Sequence, residues 1–259
     1  MSTAALIAHQ ARYDLRTFAR DPRARGLTVA LPILLLLLFG YIFRHQSFSY
    51  PGFSVPGDSY YEARMIVLGM TASSLSSLVI ALVAKRETGA LKRRRATPVG
   101  PSVLISGDLI TSEVSALLMA VVLFVIGWAL FGVRPAGAGL VAALVTVVVG
   151  TAALCGVGFA AATFVKSIDS AVPLVMLVMF TLNALSGIYF PDSLLPGWLR
   201  DVAQALPVRP LATAMQAAFD PRTNGGRQFA WTDLLIVLAW GLAGTLVALR
   251  RFSWVPSRG

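Results

Sequence analysis

The chain has 259 residues, of which 56% are hydrophobic and 13% charged, and its formal net charge is +10. A soluble domain is about 25% charged, so this composition excludes a disordered chain or an ordinary nucleic-acid-binding domain. A lone cysteine, Cys155, excludes a disulfide scaffold. The basic excess lies between apolar runs, which directs it toward anionic lipid headgroups and a cytoplasmic protein rather than toward nucleic acid.

The first pattern along the chain is helical. Ile7, Ala11, Leu15 and Phe18 recur at helical spacing, while Arg12, Arg16 and Arg20 form a separate stripe. This predicts an amphipathic helix over 4–20, within an interfacial segment 1–25, lying flat on the inner leaflet. Uncharged runs follow between Arg25 and Arg44, Arg64 and Lys85, Glu113 and Arg134, Arg134 and Lys166, Asp169 and Asp192, and Asp233 and Arg250. About 20 helical residues cross the hydrocarbon core. The runs therefore predict six transmembrane helices, roughly 26–44, 64–84, 107–131, 141–165, 170–190 and 232–250. The first is read as a retained span, because no small-residue cleavage site follows it before Arg44.

Basic residues set the orientation. With both termini in the cytoplasm, segments 1–25, 85–106, 166–169 and 250–259 face inward. Only Arg44, Arg64, Arg134, Arg200, Arg209, Arg222 and Arg227 are then left outside. The segment 85–106 is the most basic. Its charge could be a topology anchor, but an anchor does not account for Glu87, Gly89 or the stop at Thr97-Pro98. A short helix from about Glu87 to Ala96, ended by Pro98, would project into the cytoplasm. Asp108 and Glu113 lie at the inner end of the third span. They are read as ion-pair partners of the basic segments, with proton coupling as the alternative.

Between the fifth and sixth spans, Asp192, Arg200, Asp201 and Arg209 preclude another full crossing. Trp198, Leu199, Val202 and Leu206 form an apolar helix face that Pro207 stops. Pro210 fits the first turn of a second short helix, which Asp220-Pro221 ends. No catalytic constellation is present. His9 and His45 are the two histidines, predicted on opposite sides of the membrane, and no phosphate-binding Gly-x-x-x-x-Gly-Lys-Ser/Thr occurs. Polar residues inside spans are the remaining candidates. Thr71, Ser74 and Ser77 recur every third position in the second span. Thr181, Asn183 and Ser186 sit in the fifth, near Met176, Met179 and Phe180. The hydroxyls suit either helix packing or a polar path. Asn183, costly to hide in lipid, suits a polar cavity or a cross-helix hydrogen bond.

Two stretches carry a resemblance. One is Glu87-x-Gly89-x-Leu91-x-Arg93 with Ala96-Thr97-Pro98-Val99. The other is Ser186-Gly187-Ile188-Tyr189-Phe190-Pro191, then Leu195-Pro196-Gly197-Trp198-Leu199, Leu206-Pro207 and Pro210-Leu211. At this spacing, and with this order of spans, the chain resembles the type-2 ABC exporter permeases. That family includes the daunorubicin-resistance, nodulation-factor and polysaccharide exporter permeases. The resemblance covers nearly the whole chain. Arg94 stands where the family commonly has leucine, and Gln216 where it commonly has arginine.

The resemblance implies an all-α integral membrane protein, a single permease domain over 1–259 with six transmembrane helices. It implies an N-terminal interfacial helix and a re-entrant helical hairpin within 187–230; a hairpin lying on the outer surface is the alternative. It implies a coupling loop, 85–106, whose residues Glu87, Gly89, Leu91, Arg93, Thr97 and Pro98 meet an ABC ATPase subunit. It also implies a path at the centre of a dimer, lined by Thr71, Ser74 and Ser77 of the second span and by Met176, Met179, Phe180, Asn183 and Ser186 of the fifth. The permease would itself be no enzyme and hold no cofactor or metal, with ATP and magnesium bound by the partner. Its other partners would be a second copy of itself or a related permease, and membrane lipids. Its place would be the bacterial cytoplasmic membrane. Its substrate would be hydrophobic or amphipathic: a drug, a lipid or a lipid-linked glycan. A proton-driven transporter working through Glu113 and a membrane assembly factor are the alternative classes.

Overall fold

The computed structural model describes residues 22–50, 52–88, 101–135, 137–165, 167–191 and 195–251, with side chains from 29 and from 106 in the first and third of these segments. The amphipathic helix expected over 4–20 lies outside the described residues. So do Gly89, Leu91, Arg93, Thr97 and Pro98.

The architecture is helical with one small exception. Helix α1 (Pro22–Ile42) carries Pro32 in its interior. A β-hairpin follows, β1 (Ser47–Tyr50) paired antiparallel with β2 (Phe53–Pro56), with Phe48 opposite Val55. Sequence reading placed no strand here; the hairpin forms because alternation lets Phe48 point inward to aromatic partners. Phe48 lies 4.8 Å from the Tyr60 ring, and Phe39 and Phe43 each lie 4.9 Å from Tyr61. These offset and tilted pairs join the end of α1, the hairpin and the start of the next helix.

That next helix is one continuous rod of 31 residues, Gly57–Glu87. It comprises α2 (Gly57–Thr71), a π-helical turn (Ala72–Ser76) and α3 (Ser77–Glu87). Charge counting started this span at 64. The helix begins seven residues earlier, because Arg64 is buried against protein rather than ending the span. After residues 89–100 come α4 (Pro101–Phe131), α5 (Gly139–Phe164) and α6 (Ile168–Leu185). Ser167 caps α6: its hydroxyl accepts from the Ser170 amide, and Asp169 sits favourably in the first turn. Two short helices, α7 (Gly197–Gln204) and α8 (Val208–Phe219), fall where the apolar face and the prolines place them. A 3₁₀ turn (Pro221–Asn224) then leads to α9 (Trp231–Arg251).

Five helical stretches are long and apolar enough to cross a membrane: 57–87, 106–131, 139–164, 168–185 and 231–251. Helix α1 contributes a shorter apolar stretch, Val29–Ile42. Apolar side chains face outward along most of these helices; Leu34, Leu118, Leu177 and Leu242 are each more than half exposed. Such a surface is stable only against lipid or further protein, so the chain is a multi-pass membrane protein. By contrast α8 is buried, packed on α5, α2 and α9, whereas α7 exposes Trp198 and Val202.

Helices α5 and α9 pack most closely. A Cβ added to Gly244 would lie 2.6 Å from the carbonyl oxygen of Gly156, so the two backbones touch where side chains would separate them. Gly244→Leu should therefore destabilise the detergent-solubilised protein by about 1–3 kcal/mol, the usual cost of overpacking. Leu246→Ala, on the exposed face of the same helix, should change it by less than about 0.5 kcal/mol. Thermal unfolding followed by tryptophan fluorescence checks both.

Candidate functional site

The polar interior is organised around the C-terminus of α6. The helix closes with the Ile188 amide donating to the Asn183 carbonyl at 3.1 Å and the Gly187 amide to that of Ala184 at 3.4 Å. Gly187 takes φ 73°, the left-handed conformation this closure requires. The closure leaves the carbonyls of residues 185, 186 and 187 pointing onward, with no backbone donor among the described residues. Three side chains from other helices supply them. Arg209 Nη1 donates to the Leu185 oxygen at 3.4 Å, Arg64 Nη1 to that of Ser186 at 3.0 Å, and the Tyr60 hydroxyl to that of Gly187 at 3.0 Å. The Arg64 guanidinium also lies 4.8 Å from the Tyr60 ring centroid. Two guanidinium groups at a helix C-terminus face the negative end of its dipole. Sequence reasoning assigned Arg64 and Arg209 only to the outside and did not single out Tyr60. The available signal was a charge beside a Tyr-Tyr pair at the head of an apolar run.

One turn deeper, the second and fifth predicted spans meet. The Thr71 hydroxyl donates to Asn183 Oδ1 at 3.3 Å and to the Leu68 carbonyl at 2.9 Å. Asn183 thus makes the cross-helix hydrogen bond its cost in lipid anticipates, and it is fully buried. Ser73 and Ser74 both bond the Met70 carbonyl, Ser77 bonds that of Ala72 at 2.9 Å, and Ser76 contacts the sulfur of Met179. Serines that bond back to their own helix loosen its ladder, and the π-helical turn lies among them. Such turns recur at functional positions because they displace side chains from regular register.

The eight residues expected to line a path differ in exposure. Thr71, Ser74, Asn183 and Ser186 are buried within the chain, and Ser77 and Met179 are half-buried. Met176 and Phe180 are exposed, though at helical spacing they share the Asn183 side of α6, and the Phe180 ring stacks 5.3 Å from Tyr189.

At the C-terminal end of the long helix, Glu87 is its last residue and is exposed. The neighbouring bases are engaged. Lys85 Nζ lies 2.6 Å from Asp108 Oδ1 on α4, the ion pair expected for that carboxylate. Buried Arg86 donates to the carbonyls of Ala162 and Val165 at the end of α5. Glu113 lies one helical turn beyond Asp108's neighbourhood and is half-buried; among the described residues its Oε2 has no hydrogen-bond partner. A buried carboxylate that the sequence did not mark, Glu62, sits against Gly127 of α4.

On the far side, Asp220 closes α8 and caps the 3₁₀ turn. Its Oδ1 accepts from the Arg222 amide at 3.1 Å and Nε at 2.9 Å, and its Oδ2 from Nη2 at 2.7 Å. Arg222 reaches on to the Ser54 carbonyl and lies 5.3 Å from the Phe53 ring, joining the hairpin to this turn. Hydrogen bonding from Arg222 holds the Asp220 carboxyl below its ordinary value. A lowered native value contributes stability above the unfolded value of about 3.9, and that contribution is lost as the pH falls through the native one. Wild type should therefore melt above Asp220→Asn at neutral pH, and the gap should close below about pH 4. Melting curves across that range check it.

No curated protein matches the chain. The family model described as ABC-2 type transporter matches residues 7–219. That stretch takes in the long helix, the loop beyond Glu87, the clamped end of α6 and the buried α8. By this match over most of its length, the chain belongs to the ABC-2 type transporter family.

Proposed function

We propose that the chain is the membrane-spanning subunit of an ATP-driven exporter. It crosses the bacterial cytoplasmic membrane six times with both termini in the cytoplasm, the N-terminal segment lying along the inner leaflet. A separate ABC ATPase subunit binds ATP and magnesium, and docks on the loop that follows Glu87. Two such membrane subunits, identical or related, enclose a path between their second and fifth spans. The substrate class that suits apolar and hydroxyl-bearing helices is a hydrophobic or amphipathic molecule: a drug, a lipid or a lipid-linked glycan.

The observation that carries this reading is the continuity of the 57–87 helix in a chain of this family. At 1.5 Å per residue it is about 46 Å long, more than the roughly 30 Å hydrocarbon core. It holds the Thr71–Asn183 contact in its middle and leaves Glu87 exposed at its end. Those positions are about 24 Å apart along the axis. A rod of this kind can deliver a push at the loop to the polar centre without bending at a joint, apart from the π-helical turn beside that centre.

Glu87→Ala should leave membrane insertion intact, since it alters no span. It should weaken ATPase assembly or uncouple hydrolysis from export, because truncating one partner of a buried charged pair in an interface costs about 2–5 kcal/mol. Quantitative copurification with candidate ABC ATPases, with exposed Arg227→Ala as control, measures this. Equal and wild-type behaviour of both variants would count against the coupling role. Orientation is checked separately: on a Cys155→Ala background, Lys92→Cys should be labelled by membrane-impermeant maleimide only in inverted vesicles.

A further inference from the structure

Lys85 and Arg86 belong to the basic segment that positive-inside reasoning reads as an anchor. An anchor needs side chains that reach water or headgroups. Arg86 does not: it is 8% exposed, and its guanidinium reaches the end of α5. Nη1 donates to the Ala162 carbonyl at 3.3 Å and Nη2 to that of Val165. Helix α5 ends at Phe164, and its last carbonyls have no intrahelical donors. A guanidinium bridging two of them is a charge-assisted cap at the negative end of the dipole.

The residue before it holds a different helix. Lys85 Nζ and Asp108 Oδ1 are 2.6 Å apart, with side chains 25% and 10% exposed. Asp108 belongs to the first half of α4, so this pair ties the end of α3 to the inner end of α4. Consecutive helical residues project about 100° apart, which lets one helix end hold neighbours on two sides. Glu87 follows immediately, exposed.

We infer that Lys85 and Arg86 form a two-pronged transmission element, which passes displacement of the loop after Glu87 to α4 through Asp108 and to α5 through its terminal carbonyls. This rests on the proposed coupling of that loop to an ATPase, and it adds the routes by which motion leaves the loop. Helix α3 carries motion up its own axis and packs along α5 and α6, while Lys85 and Arg86 add polar ties at its end. The Arg86 cap carries it to α5, which is in backbone contact with α9 through Gly156 and Gly244. The Lys85–Asp108 pair carries it to α4, which packs on α2. Both residues are positioning groups; neither needs to touch ATPase or substrate.

The test uses the full chain in nanodiscs with its copurifying ABC ATPase, and reads hydrogen exchange of peptides from 101–135 and 139–165 with and without ATP trapped by vanadate. In the wild type, ATP should change protection in both. In Arg86→Gln the ATPase should still copurify to within about twofold, while the ATP-dependent change in 139–165 falls at least about fivefold, the lower end of ordinary allosteric coupling. Asp108→Asn should do the same for 101–135. The exchange of Lys85→Asp with Asp108→Lys should restore the response in 101–135, which a general loss of fold would not allow, and it keeps the test decisive if Arg86→Gln fails to assemble. Bound ATPase with an unchanged response in Arg86→Gln and Asp108→Asn overturns the inference alone, as does a charge exchange that restores nothing. A wild-type chain that binds no ABC ATPase removes the reading beneath it, and the inference with it.

Discussion

A helix that ends inside a membrane protein must find donors for its last carbonyls, and α6 finds them on other helices. Its Schellman closure at Gly187 satisfies the carbonyls behind it and presents those of residues 185, 186 and 187 forward. Arg209, Arg64 and Tyr60 each take one. This requirement places much of what surrounds it. Tyr60 and Arg64 can reach only if α2 starts at Gly57, well before its apolar run. Arg209 can reach only if α8 turns back into the protein after Pro207. Burying two guanidinium groups is tolerable because both donate to carbonyls and face a helix dipole.

The other end of the long helix repeats the device with the opposite economy. There Arg86, at the end of one helix, supplies the donors for the C-terminus of another, α5. The two clamps sit at opposite ends of the same 57–87 rod, about 33 Å apart along it at 1.5 Å per residue. Arginine suits both, since its planar fork offers several fixed donors and keeps its charge when buried. Between them the rod is weakest at the π-helical turn, where serines bond to their own backbone and Thr71 bonds to Asn183. A rigid element held at both ends and softened in the middle suits the coupling proposed for this chain.

The outer surface obeys a different constraint. Exposed leucines, valines and tryptophans along α4, α6 and α9 would be a fault in water, whereas in lipid they cost nothing. Cohesion between helices must then come from close contact and hydrogen bonds rather than from expulsion of water. The glycine contact between α5 and α9 and the Thr71–Asn183 bond are instances of each.

Spans were legible in the sequence because lipid admits few unpaired charges, so charge-free runs mark them. The short helices α7 and α8 were legible as well, since Pro207, Pro210 and Asp220-Pro221 act locally. Asn183 stood out by being polar where polarity is costly, and Glu87 by being acidic in a basic segment. The β-hairpin was not legible: four-residue strands carry too little pattern, and Phe48 turns inward only because Tyr60 and Tyr61 are there. Nor was the clamp on α6. Arg64 and Ser186 are 122 residues apart, and a charge at the head of an apolar run reads equally as the edge of a span. Composition and spacing alone determined that this chain crosses a membrane as helices, and roughly where five of them run. Which of its charges are boundaries and which are buried donors was decided only by tertiary structure, because a guanidinium is tolerated inside when the fold brings unpaired carbonyls to it.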